Sequence, residues 1–490
     1  MFTDRRPRRP GVPQPKAGWT DGLTPTRGVV AAVVAVTVWI LAPGPHLTIT
    51  VPASARGPAA VGLPWLHAAR DGVHDDAGHT VLLRGFNTEA LLETNSGRPP
   101  LQDSDLDLMQ AEGFDSVRLP VVWSRIEPSR GRFDSAYVDL IARTIARINE
   151  RGMYVVVDMH FLDWSAQFGG HGAPEWAHVR GVPDARLLPE PWGRHLSPAQ
   201  LVDYTYFWTS PDWQRDFFQS WRFLAMRLQS NSGVAGYDIF NEPHPFLLPP
   251  GAFERQAMWP VYAQAINAIA SVDPNHLFVV ESTLFGDWGS ATEPLQAPNV
   301  VYSGHVYTGS LIPPAFTGDS SALIAHIDGQ QREAAQLDAP LWEGELGIDH
   351  GQAHASAWAD AALDHMDDLA IGWSWWQWRE DSRWGIVNGD GTVVDSAFLR
   401  HLARPYMISA PRTAHAGRGD ATVGRLSIQL PGGINDVITV AWPDTLPGAP
   451  MVQTDCVSAV AGPVHDGRTQ VTVTTAAPCT VTLSAVATSP

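Results

Sequence analysis

The chain alternates short apolar runs with longer amphipathic segments from about residue 80 onward. Eight runs rich in Val, Ile and Leu read as β-strands, at residues 81–86, 116–119, 154–159, 234–240, 277–280, 300–303, 340–342 and 371–375. Between the second and third runs, apolar residues recur at steps of three and four, as expected of a helix packed on a sheet, at Tyr137, Val138, Ile141, Ile145 and Ile148. The pattern predicts an α/β fold, a (β/α)8 TIM barrel.

Beyond about residue 408 the pattern changes to apolar and polar alternation without helical segments. Strands are predicted at 426–430, 437–440, 470–475 and 480–486, which together indicate a small C-terminal antiparallel β-sandwich. The predicted organisation is a barrel over residues 65–407 and a sandwich over 408–490, preceded by a linker over 56–64. We interpret the sandwich as a module that stabilises the barrel rather than one that binds a ligand.

The N-terminal 55 residues have the pattern of an export signal. Six basic residues (Arg5, Arg6, Arg8, Arg9, Lys16 and Arg27) precede an apolar run over 28–42, and Ala53-Ser54-Ala55 offers a cleavage site. The run is shorter than the roughly 20 residues of a bilayer-spanning helix, which favours cleavage and leaves an uncleaved anchor as the alternative. The predicted location is secreted or at the cell surface.

Charge and cysteine content argue against some kinds of partner and site. The net charge is −18 and Lys16 is the only lysine, which argues against a nucleic-acid partner because phosphate binding needs clustered basic residues. Cys456 and Cys479 are the only cysteines, and in an exported chain we expect them to form a disulfide between two late strands. They are too few, and lack histidine partners, for a metal site.

Polar residues follow nearly every predicted barrel strand, at the face where barrel enzymes carry their chemistry. They are Asn87, Arg118, His160, Asn241, Glu242, Glu281, His305, Tyr307, Glu345 and Trp376. Glu242 and Glu345 each lie at a strand end about a hundred residues apart. Two carboxyl groups facing one anomeric carbon are what cleavage of a glycosidic bond requires, so the pair predicts a glycoside hydrolase.

The motifs around these residues resemble those of family 5 glycoside hydrolases over roughly residues 66–405. The shared motifs are Leu83-Arg84-Gly85-Phe86-Asn87, Gly113 to Pro120, Asn241-Glu242-Pro243, His305-Val306-Tyr307 and Gly344-Glu345-Leu346-Gly347. Within that family the chain looks most like the endoglycoceramidases, through Asp158-Met159-His160, Phe168 to Ala177 and Gly372-Trp373-Ser374-Trp375-Trp376. It departs from their pattern at Phe161-Leu162, where Gln-Asp is usual after the histidine, and at His244, where an aromatic ring is expected.

The resemblance implies a retaining double displacement with Glu345 as nucleophile and Glu242 as acid/base. It further implies that Arg118 and Tyr307 stabilise the nucleophile and that Asn241 binds the sugar 2-hydroxyl. His160 and His305 would shape the sugar pocket, with Trp376 as its floor. All roles are filled by side chains, so no cofactor and no metal is expected.

Glu343 and Glu281 are two further acidic residues that could take a catalytic role in this scheme. Glu343 lies two positions before Glu345, and regular strand alternation would place both on one face, so alternation does not choose between them. The glycines Gly344 and Gly347 that flank Glu345, as in the family, favour Glu345. Glu281 is interpreted as a structural hydrogen-bond partner rather than a third catalytic acid.

The leading functional prediction is hydrolysis of the sugar–ceramide linkage of glycosphingolipids, with a glycolipid or oligosaccharide substrate and transient contact with a membrane surface. One alternative keeps the chemistry and changes the substrate, to simple glucolipids, steryl glucosides or β-1,4-glucan. Another, of a different class, is a non-catalytic carbohydrate- or membrane-binding protein on a barrel scaffold.

Overall fold

The computed structural model describes residues 62–92, 101–185, 197–244, 249–283, 295, 297–380 and 382–485. The predicted signal segment and all but the last three residues of the predicted linker lie outside this part of the chain. Three short N-terminal strands come first: β1 (Leu66–Ala69), β2 (Gly72–Asp75) and β3 (His79–Val81).

Eight parallel strands form a closed barrel, which confirms the predicted fold class. They are β4 (Arg84–Asn87), β5 (Ser116–Val121), β6 (Tyr154–Met159), β7 (Val234–Asp238), β8 (Leu277–Glu281), β9 (Val300–Val306), β10 (Leu341–Leu346) and β11 (Gly372–Trp375). The barrel closes where β11 pairs with β4, at Trp373 and Arg84. The predicted strand over 81–86 is wrong in its extent, because its first residue belongs to β3, outside the barrel.

Helices surround the barrel. Those of the described residues are Asp103–Ala111, Trp123–Ile126, Ser135–Asn149, Pro198–Thr209, Pro211–Leu228, Pro250–Phe253, Trp259–Ala270, Ser321–Gln336, Ala355–Leu369 and Ser396–Leu402, with a 3-10 turn at Ala166–Phe168 and a π-helical turn at Glu254–Met258. Helix Ser135–Asn149 begins where the Asp134 carboxylate accepts hydrogen bonds from two backbone N–H groups, and it buries the apolar face predicted from its spacing. None of the described helices combines the length and apolar character needed to cross a bilayer.

The C-terminal strands form the predicted antiparallel sandwich, with one addition. They are β12 (Tyr406–Pro411), β13 (His415–Ala416), β14 (Arg425–Leu430), β15 (Asn435–Ala441), β16 (Met451–Thr454), β17 (Ser458–Ala461), β18 (Arg468–Thr474) and β19 (Cys479–Ser484). One sheet has the order β13-β14-β19-β16 and the other β1-β2-β3-β12-β15-β18-β17. Strands from before the barrel therefore complete a sheet whose other strands come after it.

Direct contacts join the sandwich to the barrel. The Arg468 guanidinium of β18 donates to the backbone carbonyls of Gly152 and Phe114, at 2.8 and 2.9 Å. Cys456 and Cys479 form a disulfide within the sandwich, across a Cα–Cα distance of 5.1 Å. At the amino-terminal end of the barrel, Leu66 and Val73 pack in one buried cluster with residues of several barrel strands. The hairpin formed by β1 and β2 thus closes the end of the barrel opposite the predicted site.

Candidate active site

The strand β10 that carries Glu345 is irregular at this residue. Glu343 pairs with Gly304 of β9 and Glu345 pairs with His305, so two steps along β10 match one step along β9. This is a β-bulge at Gly344, and its carbonyl accepts a hydrogen bond of 2.9 Å from the Asn87 side chain. The bulge turns the side chains of Glu343 and Glu345 to different faces of the barrel wall.

The expectation that Glu343 and Glu345 share a face is therefore wrong. A Cβ atom on Gly304 would lie 2.3 Å from a Glu343 carboxylate oxygen and 2.7 Å from the Gln330 carboxamide carbon. Gln330 belongs to helix Ser321–Gln336, so the fully buried Glu343 lies between the barrel wall and that helix. Glu345 faces the inside of the barrel, where Arg118 and Tyr307 contact its carboxylate, and it is therefore the one of the two on the side of the other site residues.

Glu242 stands four residues beyond the end of β7 and has a left-handed backbone with φ of 46°. Its N–H donates to a Glu281 carboxylate oxygen at 2.7 Å, which fixes the turn. Its side chain, 21% exposed, contacts His305 Nδ1 at 3.0 Å. One carboxylate oxygen each of Glu242 and Glu345 and one His305 ring nitrogen lie within 4.8 Å of one another. The two carboxyl groups thus face each other at the short separation of retaining glycosidases.

Arg118 lies at the centre of the site with its side chain wholly buried. Its guanidinium donates to Glu345 at 2.7 Å, to Glu281, Asn241 and Asp238 at 2.9 Å, and to Asn87 at 3.1 Å, and it lies 3.2 Å from Asp158. Although burial alone would lower it, the surrounding carboxylates raise the pKa of Arg118 well above its ordinary value. One permanent cation therefore holds the side chains of five barrel strands in register.

Tyr307 contacts the second oxygen of Glu345. The phenol donates a hydrogen bond of 2.9 Å to Oε2, while Arg118 holds Oε1. Burial and the Glu345 charge raise the pKa of Tyr307 well above its ordinary value, so the phenol keeps its proton. The plane of the Glu345 carboxylate is consequently fixed from both sides.

The pKa values of the two histidines of the site are shifted in opposite directions. Burial lowers the pKa of His160 to about 3, and the neutral ring contacts Asp158 at 2.6 Å. Burial would also lower the pKa of His305, but the Glu281 and Glu345 charges raise it well above its ordinary value. His305 lies between the Glu242, Glu281 and Glu345 carboxyl groups, whereas His160 stacks on Trp376 at 5.5 Å with an interplanar angle of 13°.

Two acidic residues of this site were not predicted as site residues. Asp158 and Asp238, both fully buried, lie with Glu281 around the Arg118 guanidinium. Burial raises the pKa of Asp158 and of Asp238 well above the ordinary value. Asp158 lies two residues before His160, so strand alternation places both on one face, but that spacing does not reveal the contact with Arg118 of the neighbouring strand. The three carboxyl groups are close enough to surround a cation, and Arg118 supplies that cation.

The departures from the endoglycoceramidase pattern fit an aromatic cluster beneath the site. Phe161 stacks on Phe240 at 4.0 Å and 9°, and its carbonyl accepts a hydrogen bond of 3.0 Å from the Asn241 side chain. His244 meets the Tyr204 ring edge to face at 4.9 Å. Phe161 thus positions Asn241, the residue before Glu242, while His244 packs on a neighbouring ring.

The sequence matches the family described as cellulase (glycosyl hydrolase family 5) over residues 74–382. The fold, the paired glutamates and this match together define the class: the chain belongs to glycosyl hydrolase family 5 and is a glycoside hydrolase.

Among curated relatives, endoglycoceramidase I of Rhodococcus hoagii is 30% identical over 369 residues, which is 70% of this chain and 72% of the relative. A crystal structure of an endogalactoceramidase superposes with a TM-score of 0.70 and 28% identity, covering 86% of this chain and all of the other. The major extracellular endoglucanase of Xanthomonas campestris is 26% identical over 65% of this chain and 66% of the relative. The predicted likeness to endoglycoceramidases within family 5 is confirmed.

Proposed function

We propose that this glycoside hydrolase cleaves the bond between the sugar and ceramide of glycosphingolipids, with retention of anomeric configuration. The observation that carries the mechanism is the approach of Glu242 and Glu345 to within 4.8 Å at the barrel mouth. Retention needs carboxyl groups about 5 to 5.5 Å apart, whereas inversion needs roughly 6.5 to 9.5 Å. The substrate class rests on the similarity to endoglycoceramidase I and to an endogalactoceramidase.

In the first step a Glu345 carboxylate oxygen bonds to the anomeric carbon as the bond to the ceramide oxygen breaks. Glu242 gives its proton to that leaving oxygen, so ceramide departs as an alcohol. In the second step Glu242 takes a proton from water, the water oxygen bonds to the same carbon, and Glu345 leaves as a carboxylate. The sugar is released with its original configuration after two inversions.

The other side chains of the site serve these two steps. Arg118 and Tyr307 orient the Glu345 carboxylate and stabilise its charge when it leaves the sugar. Asn241, held by Arg118 and by the Phe161 carbonyl, is assigned to the sugar 2-hydroxyl. The half-buried Trp376 provides a flat apolar surface for the sugar ring, with the neutral His160 beside it.

The test is release of free ceramide and intact sugar from glucosylceramide, galactosylceramide, lactosylceramide and a ganglioside, with cellulose oligomers in parallel. We expect ceramide release by the wild type, and loss of at least about a thousandfold in Glu345→Gln, because the amide is not a nucleophile. The matched control is Glu343→Gln, the same isosteric change two residues away on the outer face. Activity that survives Glu345→Gln but not Glu343→Gln would overturn the assignment of the nucleophile.

The similarity to an endoglucanase supports a second candidate substrate, β-1,4-glucan. Both candidates use the same two glutamates, so the panel separates them by substrate alone. Cleavage of cellulose oligomers without ceramide release would select the glucanase, and release of glucose from steryl glucosides would select a glucolipid β-glucosidase. Binding without any cleavage would indicate a non-catalytic protein.

We also propose that the enzyme is exported, on the basis of the basic and apolar pattern of residues 1–55. Mass spectrometry of the N-terminal peptide from the culture medium would give a start near Ala55 for a cleaved signal. Recovery of the intact N-terminus in the membrane fraction would instead indicate an anchor.

A further inference from the structure

The loop after β9 exposes five consecutive apolar residues at the catalytic end of the barrel. They are Leu311, Ile312, Pro313, Pro314 and Ala315. Leu311 is 51% exposed and Ile312 is 40% exposed. Exposed apolar residues normally occur singly on a soluble domain, and a continuous run indicates a contact surface.

This loop adjoins the catalytic residues. The N–H of Leu311 donates to the carbonyl of Tyr307 at 3.1 Å, and the Tyr307 phenol holds Glu345. The apolar residues therefore begin one turn of chain away from a residue that contacts the nucleophile. A surface that meets this loop presents its glycolipids beside the barrel mouth.

The backbone N–H groups at the start of the loop, in residues 309–312, are paired internally. The N–H groups of Ser310, Leu311 and Ile312 all donate to the Tyr307 carbonyl, and the Gly309 N–H donates to the Ile312 carbonyl. Pro313 and Pro314 carry no N–H group. Donors left unpaired are costly in an apolar medium, and none of the residues from 309 to 314 presents one.

Neighbouring side chains hold the loop in place. The Trp358 indole donates to the Thr308 carbonyl and the Gln352 amide donates to the Ser310 carbonyl, both at 2.8 Å. Phe316, the apolar residue that ends the exposed run, is buried. The loop is thus preformed, and its apolar side chains can contact an apolar surface without a rearrangement of the backbone.

The absence of charged side chains from this loop indicates the kind of surface that it contacts. Residues 306–318 contain no Asp, Glu, Lys, Arg or His, in a chain with a net charge of −18. A phosphate-binding or anionic-lipid site would need basic residues at this position. The uncharged loop matches the uncharged interfacial and acyl region of a lipid layer, and burial of the apolar side chains drives the contact.

We propose that Leu311, Ile312 and the following Pro-Pro-Ala form a lipid-docking loop that seats the barrel mouth on a neutral lipid surface. This inference rests on the proposed glycolipid activity for its biological purpose. Binding to lipid can nevertheless be measured without any cleavage, so the two proposals fail separately.

The experiment measures sedimentation of the full chain with phosphatidylcholine vesicles that contain a few mole per cent of glucosylceramide. The variant Leu311→Gln/Ile312→Gln keeps a side chain of similar size at each position and makes it polar. We expect its partition onto vesicles to fall about tenfold, since each side chain is already about half buried. Cleavage of the vesicle-borne substrate should fall by a similar factor, while cleavage of detergent-dissolved substrate should stay within about twofold.

The matched control is Val457→Gln/Val460→Gln, which changes two valines of the sandwich that are 66% and 65% exposed. The proposal is supported if the wild type and this control bind the vesicles and the loop variant does not. The proposal is overturned by absent wild-type binding, by equal binding of wild type and loop variant, or by an equal loss in the control. Sedimentation velocity that shows a dimer abolished by the loop variant, without vesicle binding, would assign the loop to a second copy of the chain instead. If dissolved glycolipid is never cleaved, the proposed function fails and the vesicle result still stands.

Discussion

Removal of the Tyr307 hydroxyl tests how the site handles the charge of its nucleophile. The hydroxyl donates to Glu345 Oε2 at 2.9 Å, and the carboxylate loses its charge in the first chemical step and regains it in the second. In the Tyr307→Phe variant this hydrogen bond is missing when the charge returns. The second step, hydrolysis of the glycosyl-enzyme, is therefore expected to slow more than the first.

The size of the effect follows from the geometry. A hydrogen bond to a charged group contributes about 1.5–3 kcal/mol, and about half of the charge has returned at the transition state. The second step should accordingly lose about 1 kcal/mol, or about fivefold in rate. Since the first step does not gain from this bond, kcat/KM should change less than kcat, and KM should fall with kcat.

The assay is pre-steady-state kinetics with an aryl glycoside whose leaving group is good enough to make the second step limiting. Tyr307→Phe should give a burst of phenol and a glycosyl-enzyme detectable on Glu345 by mass spectrometry. The control is Tyr137→Phe, whose buried hydroxyl donates to the Leu91 backbone carbonyl at 2.8 Å rather than to a carboxylate. It should lose about 1 kcal/mol of stability without a change in kcat. An equal fall of kcat and kcat/KM, with no burst, would refute the reasoning.

Three further predictions concern stability and the central cation. Burial and the Glu333 charge raise the pKa of Glu254 to about 8 from 4.5, so the free energy of unfolding should decline as pH rises through that interval, by at most about 5 kcal/mol. Glu254→Gln should remove the decline, and thermal unfolding should show a higher Tm than wild type at about pH 9 but not at about pH 4. The Cys456→Ser/Cys479→Ser variant should unfold with about 3 kcal/mol less stability in urea and unchanged kcat, given a separation of 23 residues between the cysteines. Arg118→Lys should abolish activity and lower Tm, because three ammonium donors cannot replace the guanidinium contacts; near-normal activity would contradict this role.

The barrel and the central site residues were predictable because their signals are local. Arg118 is a charged residue inside an apolar strand, and polar residues recur at the ends of successive strands. Both signals are visible in short stretches of sequence, given that side chains alternate between the two faces of a strand. The same rule failed at Glu343, because the bulge at Gly344 shifts the period by one residue. A bulge depends on pairing with β9 and on the Asn87 hydrogen bond, and both are contacts distant in sequence.

The contribution of β1, β2 and β3 to the sandwich could not be predicted from the same patterns. These strands have three or four residues each and include His67, His74 and His79, so their apolar alternation is weak. Their place is fixed by partners far along the chain, such as Asp436, which contacts His79 at 3.0 Å. The role of Asp158 is unpredictable for a related reason, because it appears only when Arg118 of the neighbouring strand is in place.

The pairing of β3 with β12 also constrains how the chain is made. Val81 lies opposite Ser409, so the sheet edge formed by β3 stays open while more than three hundred further residues are translated. Contacts of such long sequence separation slow folding, and an open strand edge invites pairing with other chains. A ribosome that stops after the last barrel helix, Ser396–Leu402, would release a complete catalytic sequence with that edge still unpaired. Residues 406–474 thus complete, late in synthesis, the sheet that residues 66–81 begin, and expression of the barrel alone should favour aggregation.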